Sequence, residues 1–67
     1  RTAEALRRFR EAAAINAGNA DAHLGQGMCL QELGRRDEAR KAYERFLELA
    51  PRHRLARDVR LVLEQWQ

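Results

Sequence analysis

Apolar residues recur every three or four positions along most of this chain, which is the spacing of one face of an α-helix. Four such stretches are predicted. The first begins after Thr2, the expected N-cap, and ends near Asn16. Its apolar stripe consists of Ala5, Phe9, Ala12, Ala13 and Ile15. A turn follows at Ala17-Gly18-Asn19, where Gly18 can adopt a left-handed backbone conformation without steric cost.

The second helical stretch starts after Asn19, which is a favourable N-cap residue. Its apolar positions are Ala22, Leu24, Gly27, Met28, Leu30 and Leu33. Gly25 and Gly27 lie in the middle of it, where each costs about 1 kcal/mol relative to Ala. We therefore expect another helix to approach α-carbons closely at these positions. Gly34 ends the stretch.

The third helical stretch opens with Asp37 and Glu38, two acids that suit the positive end of a helix. Its apolar positions are Ala39, Ala42, Tyr43, Phe46, Leu47 and Leu49. Pro51 ends it and disfavours a helical conformation at Ala50. The link between the second and third helices is short, so the two should be antiparallel neighbours, with Gly27 facing Ala39.

The fourth stretch is predicted to be helical over residues 53–66. Its stripe consists of Leu55, Ala56, Val59, Val62, Leu63 and Trp66. Trp66 should cover the end of the core. With Val and Ile totalling three residues and a single Pro, the composition also favours helices over strands. The predicted fold class is all-α, with four antiparallel helices.

Length and composition narrow the function. The chain has 67 residues, enough for one domain, and carries a net charge of +3. Cys29 is the only cysteine, so no disulfide forms within the chain, and a reducing compartment such as the cytoplasm is favoured. No apolar run is long enough to span a bilayer, so no membrane insertion is expected. Because the chain starts with Arg1 instead of Met, we expect it to be a piece of a longer protein.

Few residues could carry catalysis or bind a cofactor. The chain has no Ser, and Cys29 falls on the packed side of its helix, which favours a buried structural thiol over a reactive one. His23 and His53 lack the spacing of metal ligands. The Gly25-Gln26-Gly27 segment has no preceding strand, so it does not predict dinucleotide binding. We expect no enzyme, no cofactor and no metal.

The number of arginines raises the question of nucleic-acid binding. The chain has 12 Arg and one Lys, an excess that suits phosphate contacts but also results from codon usage in a GC-rich genome. Four of the arginines cluster near the C-terminal end: Arg52, Arg54, Arg57 and Arg60. Asp58 and Glu64 interrupt them and no aromatic residue alternates with them, so nucleic-acid binding is not expected.

The sequence also repeats itself. A displacement of 34 residues places Glu4 on Glu38, Ala5 on Ala39, Phe9 on Tyr43, Ile15 on Leu49 and Ala17 on Pro51. Two helices per 34 residues resemble the tetratricopeptide repeat, whose pattern is W-x2-L-G-x2-Y, then A-x3-F, then P. Here the second helix has His23-x2-Gln26-Gly27-x2-Leu30, and the third has Ala39-x3-Tyr43 followed by Pro51. His, Gln and Leu depart from the pattern, as does Phe46 where Ala is usual.

The resemblance implies a domain organisation. Residues 1–18 would be the second helix of an incomplete repeat, 19–53 one complete repeat, and 54–67 a capping helix. The fourth helix matches the pattern better after a shift of one residue. In that shifted register Arg60 takes the small-residue position, and no further helix is expected to pack there.

The resemblance also implies a binding surface, because the first helix of each such repeat lines a concave groove that holds a peptide. The implied groove positions are Asp21, Leu24, Gly25, Met28, Gln31 and Glu32, together with Arg54, Arg57, Asp58 and Leu61 in the shifted last helix. Leu24 and Met28 would form an apolar strip beside Arg54 and Arg57, which suits a peptide with an apolar anchor and acidic neighbours. Alternatively, Leu24 and Met28 belong to the core.

Two functions follow. The first is a protein–protein interaction scaffold that binds a partner peptide or protein in the groove, as part of a larger protein. The alternative is a structural or oligomerising appendage that packs against its own parent chain or a second copy of itself. Self-association would use the first helix, whose stripe lacks the partner helix of its own repeat.

Overall fold

The computed structural model describes residues 1–67 and consists of four α-helices. These are α1 (Thr2–Ile15), α2 (Ala20–Glu32), α3 (Arg36–Leu49) and α4 (Ala56–Gln65). Each helix packs against the next one along the chain. The predicted fold class, an all-α arrangement of antiparallel helix-turn-helix units, is confirmed.

The helix ends follow local chemistry. Asn19 caps α2 as predicted, because its side-chain oxygen accepts a hydrogen bond of 3.1 Å from the Ala22 N–H. Gly34 ends α2 in a left-handed conformation with φ = 77°. Ala50 is non-helical with φ = −141° before Pro51, as predicted.

Two expectations about the ends of α1 are wrong. Arg1 is the N-cap residue, whereas Thr2 is already helical and its hydroxyl donates a 2.5 Å hydrogen bond to Glu32 Oε1 on α2. Gly18 is not left-handed. The turn is instead closed by the Asn16 side-chain oxygen, which accepts a hydrogen bond of 3.0 Å from the Gly18 N–H.

The buried face of α1 also differs from the predicted stripe. Leu6 is its one buried residue, although it was not in the stripe, and Ile15 is 87% exposed. Ala5 and Phe9 are half-buried and pack against the core. The face is displaced because α2 is the main cover of α1, so most residues that point away from α2 remain in water.

The core consists of two clusters of buried residues. The first lies among α1, α2 and α3 and contains Leu6, Cys29, Leu30, Ala39 and Ala42. The second lies among α2, α3 and α4 and contains Leu24, Tyr43, Phe46, Ala56 and Val59. Trp66 is half-buried and packs against both clusters, which agrees with its expected place at the end of the core.

The last helix begins at Ala56, later than the expected start at residue 53 or 54. Two side chains form hydrogen bonds with backbone groups of the turn before α4. The Leu55 N–H donates to His53 Nδ1 over 3.1 Å, and the Arg60 guanidinium donates to the Pro51 carbonyl oxygen over 2.9 Å. These bonds hold the turn in a non-helical conformation.

The burial of α4 follows that of α2 in the unshifted 34-residue register. Ala22 and Ala56 are both buried, and so are their respective neighbours Gly25 and Val59. The expected shift of one residue is therefore wrong. The α2 residues that face α3 correspond in α4 to positions where no helix packs and which are exposed: Asp58, Leu61 and Glu64.

Candidate functional site

Gly25 and Gly27 of α2 are each contacted closely by an aromatic ring from a neighbouring helix, which agrees with the close approach predicted at these positions. A Cβ atom at Gly25 would lie 2.5 Å from the ring of Phe9, and one at Gly27 would lie 2.5 Å from the ring of Tyr43. Atoms at such distances overlap, so neither site tolerates a side chain without movement of the ring. The nearest neighbour of Gly27 is therefore Tyr43, one turn beyond the expected partner Ala39, which is itself fully buried.

Tyr43 is held by two side chains. Its hydroxyl donates a 2.6 Å hydrogen bond to Gln31 Oε1, and its ring centroid lies 6.0 Å from that of Trp66. Burial raises the pKa of Tyr43, and the neighbouring Cys29 raises it further. The side chain is thus a neutral, fixed floor between α2, α3 and the end of α4.

Trp66 fixes the end of α4 against α3. The guanidinium of Arg36 lies 5.3 Å from the centre of the Trp66 ring, and Arg40 donates a 3.0 Å hydrogen bond to the Trp66 carbonyl oxygen. Thr2 and Glu32, which form the hydrogen bond between α1 and α2, are the equivalents of Arg36 and Trp66 at a spacing of 34 residues. The same two positions, 34 residues apart, therefore join α1 to α2 and α3 to the end of α4.

Two open cavities flank the exposed side of α2. The first, of about 690 Å³, is lined by Phe9, Gly25, Met28, Cys29, Gln31, Glu32 and Tyr43. The second, of about 220 Å³, separates α2 from α4 and is lined by Leu24, Met28, Tyr43, Leu55, Asp58, Val59 and Val62. Met28 and Tyr43 belong to both linings. We call the two cavities together the α2 groove.

The groove contains six of the ten residues implied by the sequence. These are Leu24, Gly25, Met28, Gln31, Glu32 and Asp58. The other four do not line it. Asp21 accepts a 3.0 Å hydrogen bond from His53 Nε2 beside the loop before α4, and Arg54, Arg57 and Leu61 are exposed outside the lining.

The register assumed for α4 explains the difference, because the prediction shifted it by one residue and the structure does not. The unshifted equivalents of the α2 positions Asp21, Leu24, Gly25 and Met28 are Leu55, Asp58, Val59 and Val62. These four, Leu55 at the N-cap of α4 and the other three within it, line the groove, and sequence reasoning missed all of them except Asp58. The 34-residue spacing itself was the signal that could have found them. The expected rim of Arg54 and Arg57 is absent from the lining.

Leu24 and Met28 differ in burial. Leu24 is 7% exposed and belongs to the second core cluster, so its first role is packing. Met28, one turn further along α2, is 54% exposed even though its neighbours in sequence, Gly27 and Cys29, are buried. The apolar side chain offered to a ligand is therefore that of Met28.

The remaining titratable groups offer little chemistry. Cys29 is buried in the first core cluster, and burial raises its pKa, with Glu32 raising it further, so the thiol stays protonated. His23 makes a hydrogen bond of 3.0 Å to the Ala17 carbonyl oxygen. No group of three or more His, Cys, Asp or Glu side chains is placed to hold a metal ion. None of the helices has the length and apolar character required to cross a membrane.

These features define a class of protein. Antiparallel helices repeat every 34 residues and leave a groove beside α2 and α4, which is an α-solenoid arrangement. The model of the family described as tetratricopeptide repeat matches residues 1–61, and the chain belongs to this family. A search of curated proteins and a search of solved structures found no match. Proteins of this family are in general protein-interaction scaffolds and are typically not enzymes.

Proposed function

We propose that this chain is a protein-interaction module of a larger protein and binds a partner peptide or protein segment in the α2 groove. The observation that carries the proposal is the exposure of Met28 between two cavities. A thioether side chain is flexible and polarizable, so it can adapt to the shape of an apolar ligand. We further propose that residues 19–53 form the complete repeat and 54–67 the cap.

The walls of the groove support this role because they are fixed before a ligand arrives. Tyr43 is held by Gln31 and Trp66, and the ring of Phe9 is seated against Gly25. A preformed surface loses little conformational entropy when a ligand binds, which leaves more of the contact energy for affinity.

The proposal can be tested with peptides selected from a random display library on the immobilised chain. Met28→Glu should abolish binding of the selected peptides because it places a charge in the apolar part of the groove. Leu33→Glu is the matched control, since Leu33 is also an exposed apolar residue of this region but lies outside the lining. Helicity by circular dichroism should be unchanged in both variants. Equal loss of binding in both would contradict the groove assignment.

The second candidate function is self-association through α1. The observation that favours it is the apolar surface left on α1, where Ile15 is exposed and the ring of Phe9 borders the larger cavity. Sedimentation velocity over a range of concentrations tests it. A scaffold module is expected to be monomeric, whereas an oligomerising appendage should sediment as a dimer or larger species, and Ile15→Ser should dissociate that species.

A further inference from the structure

The charged side chains of the α2 groove all have the same sign. Glu32 lines the larger cavity and Asp58 the smaller one, and neither lining includes an Arg or Lys. The remaining lining residues are apolar or neutral. A ligand that fills this groove therefore meets an apolar surface with a carboxylate in each cavity, although the chain as a whole carries a net charge of +3.

Both carboxylates are free to accept a cation. Asp58 takes part in none of the four ion pairs of the structure, and Glu32 is bonded only to the neutral hydroxyl of Thr2. Two acids outside the groove are matched: Glu38 pairs with Arg10 and Arg35, and Glu48 pairs with Arg45. The groove thus combines unmatched negative charge with the exposed apolar side chain of Met28.

The positions of the two carboxylates set a spacing. Asp58 is the α4 equivalent of Leu24 and lines the same cavity, so it lies at the level of Leu24 along the groove. Glu32 lies two turns beyond Leu24 on α2, roughly 12 Å along the helix axis at about 1.5 Å per residue. Met28 lies midway between these two levels.

We infer that the α2 groove binds an extended peptide segment in which an apolar residue is flanked by Lys or Arg two positions before it and two positions after it. An extended chain advances about 3.3 Å per residue, so four residues span roughly 13 Å, close to the axial distance of roughly 12 Å between the levels of Leu24 and Glu32 on α2. Side chains at alternate positions point to the same side. The apolar residue then contacts Met28 while the two cations reach Asp58 and Glu32. The inference rests on the proposed function of the groove and assigns its specificity.

Three acetylated and amidated peptides test the inference by NMR titration of the isotopically labelled chain, read at the Met28 amide. The probe is SGKALAKGS. Its isomer SGAKLKAGS has the same composition with the lysines on the opposite side, and SGEALAEGS reverses the charge. The probe should bind roughly 2- to 20-fold more tightly than its isomer, because two solvent-accessible ion pairs each contribute a small factor. The difference should shrink at high salt.

Single substitutions assign the effect to the groove. Asp58→Asn and Glu32→Gln should each weaken binding of the probe about 2- to 5-fold. Glu44→Gln is the matched control, since Glu44 is an exposed carboxylate of α3 outside both cavities, and it should change nothing. If all three peptides bind equally and Met28→Glu removes binding, the charge pattern is overturned while the groove function stands. Tighter binding of the acidic peptide, or no binding of the probe, would also overturn the inference. The peptides selected from the random display library then test the function of the groove separately.

Discussion

The hydroxyl of Tyr43 donates a 2.6 Å hydrogen bond to the side-chain oxygen of Gln31, which joins α3 to the exposed side of α2. The ring beneath that bond fills the space left by the missing side chain of Gly27. One residue therefore closes the helix pair and forms the floor of the groove. Substitutions at Tyr43 should therefore affect both the stability of the fold and the binding of a ligand, and the two effects can be measured separately.

Tyr43→Phe should remove the hydrogen bond and keep the ring. The expected cost is about 0.5–1.5 kcal/mol in the free energy of unfolding, measured by urea denaturation. Tyr43→Leu should cost more, because the ring contact with Gly27 and Trp66 is lost as well. Equal stability of Tyr43→Phe and the natural chain would show that the bond to Gln31 contributes nothing.

Gly27→Ala should destabilise the fold even though Ala is the better helix former by about 1 kcal/mol. The added methyl group would overlap the Tyr43 ring, and overpacking of this kind costs roughly 1–3 kcal/mol. Thermal denaturation of Gly27→Ala in the natural chain and in Tyr43→Leu provides the check. The substitution should become neutral or stabilising once the ring is gone, and a loss of equal size in both backgrounds would contradict the contact.

Ala39→Leu should cost roughly 1–3 kcal/mol, because Ala39 is fully buried among Leu6, Cys29, Leu30 and Ala42. Ala14→Leu is the control on α1, where the residue is exposed and the added side chain enters water. Thermal melts of the two variants should differ clearly. If Ala39→Leu had the same melting temperature as the natural chain, Ala39 would not be tightly packed in the core.

Stability should fall as the solution becomes alkaline. Burial raises the pKa of Cys29 from its ordinary value of 9.0 and that of Tyr43 from 10.0, so the folded state holds these protons more tightly than the unfolded state does. The resulting stabilisation is complete below pH 9 and is lost as the pH rises through the folded-state pKa values. Urea denaturation between pH 7 and pH 11 should show this decline, and the double variant Cys29→Ala with Tyr43→Phe should flatten it.

The central helices were the easiest part of the fold to predict. The caps and breaks at Asn19, Gly34 and Pro51 are local signals, and the structure uses all three. The face of α1 was harder, because Leu6 and Ile15 are equally apolar and only the placement of α2 decides which of them is buried. Periodicity alone carries no information about the neighbour.

The last helix shows a second reason for error. Val59, Val62 and Leu63 give an apolar stripe that satisfies both the shifted and the unshifted register, so the pattern could not choose between them. The contacts of Ala56 and Val59 with the second core cluster decide it. With that one-residue difference, Leu55, Val59 and Val62 line the groove where Arg54, Arg57 and Leu61 were expected, and Asp58 is common to both sets.

Leu61 occupies in α4 the place that Gly27 occupies in α2. A helix docked on α4 as α3 docks on α2 would bring an aromatic ring to a point already filled by an isobutyl group. Asp58 and Glu64 would lie on either side of it in the same contact. A helix that docked on α4 in this geometry would therefore meet a side chain at the point where α3 meets none on α2.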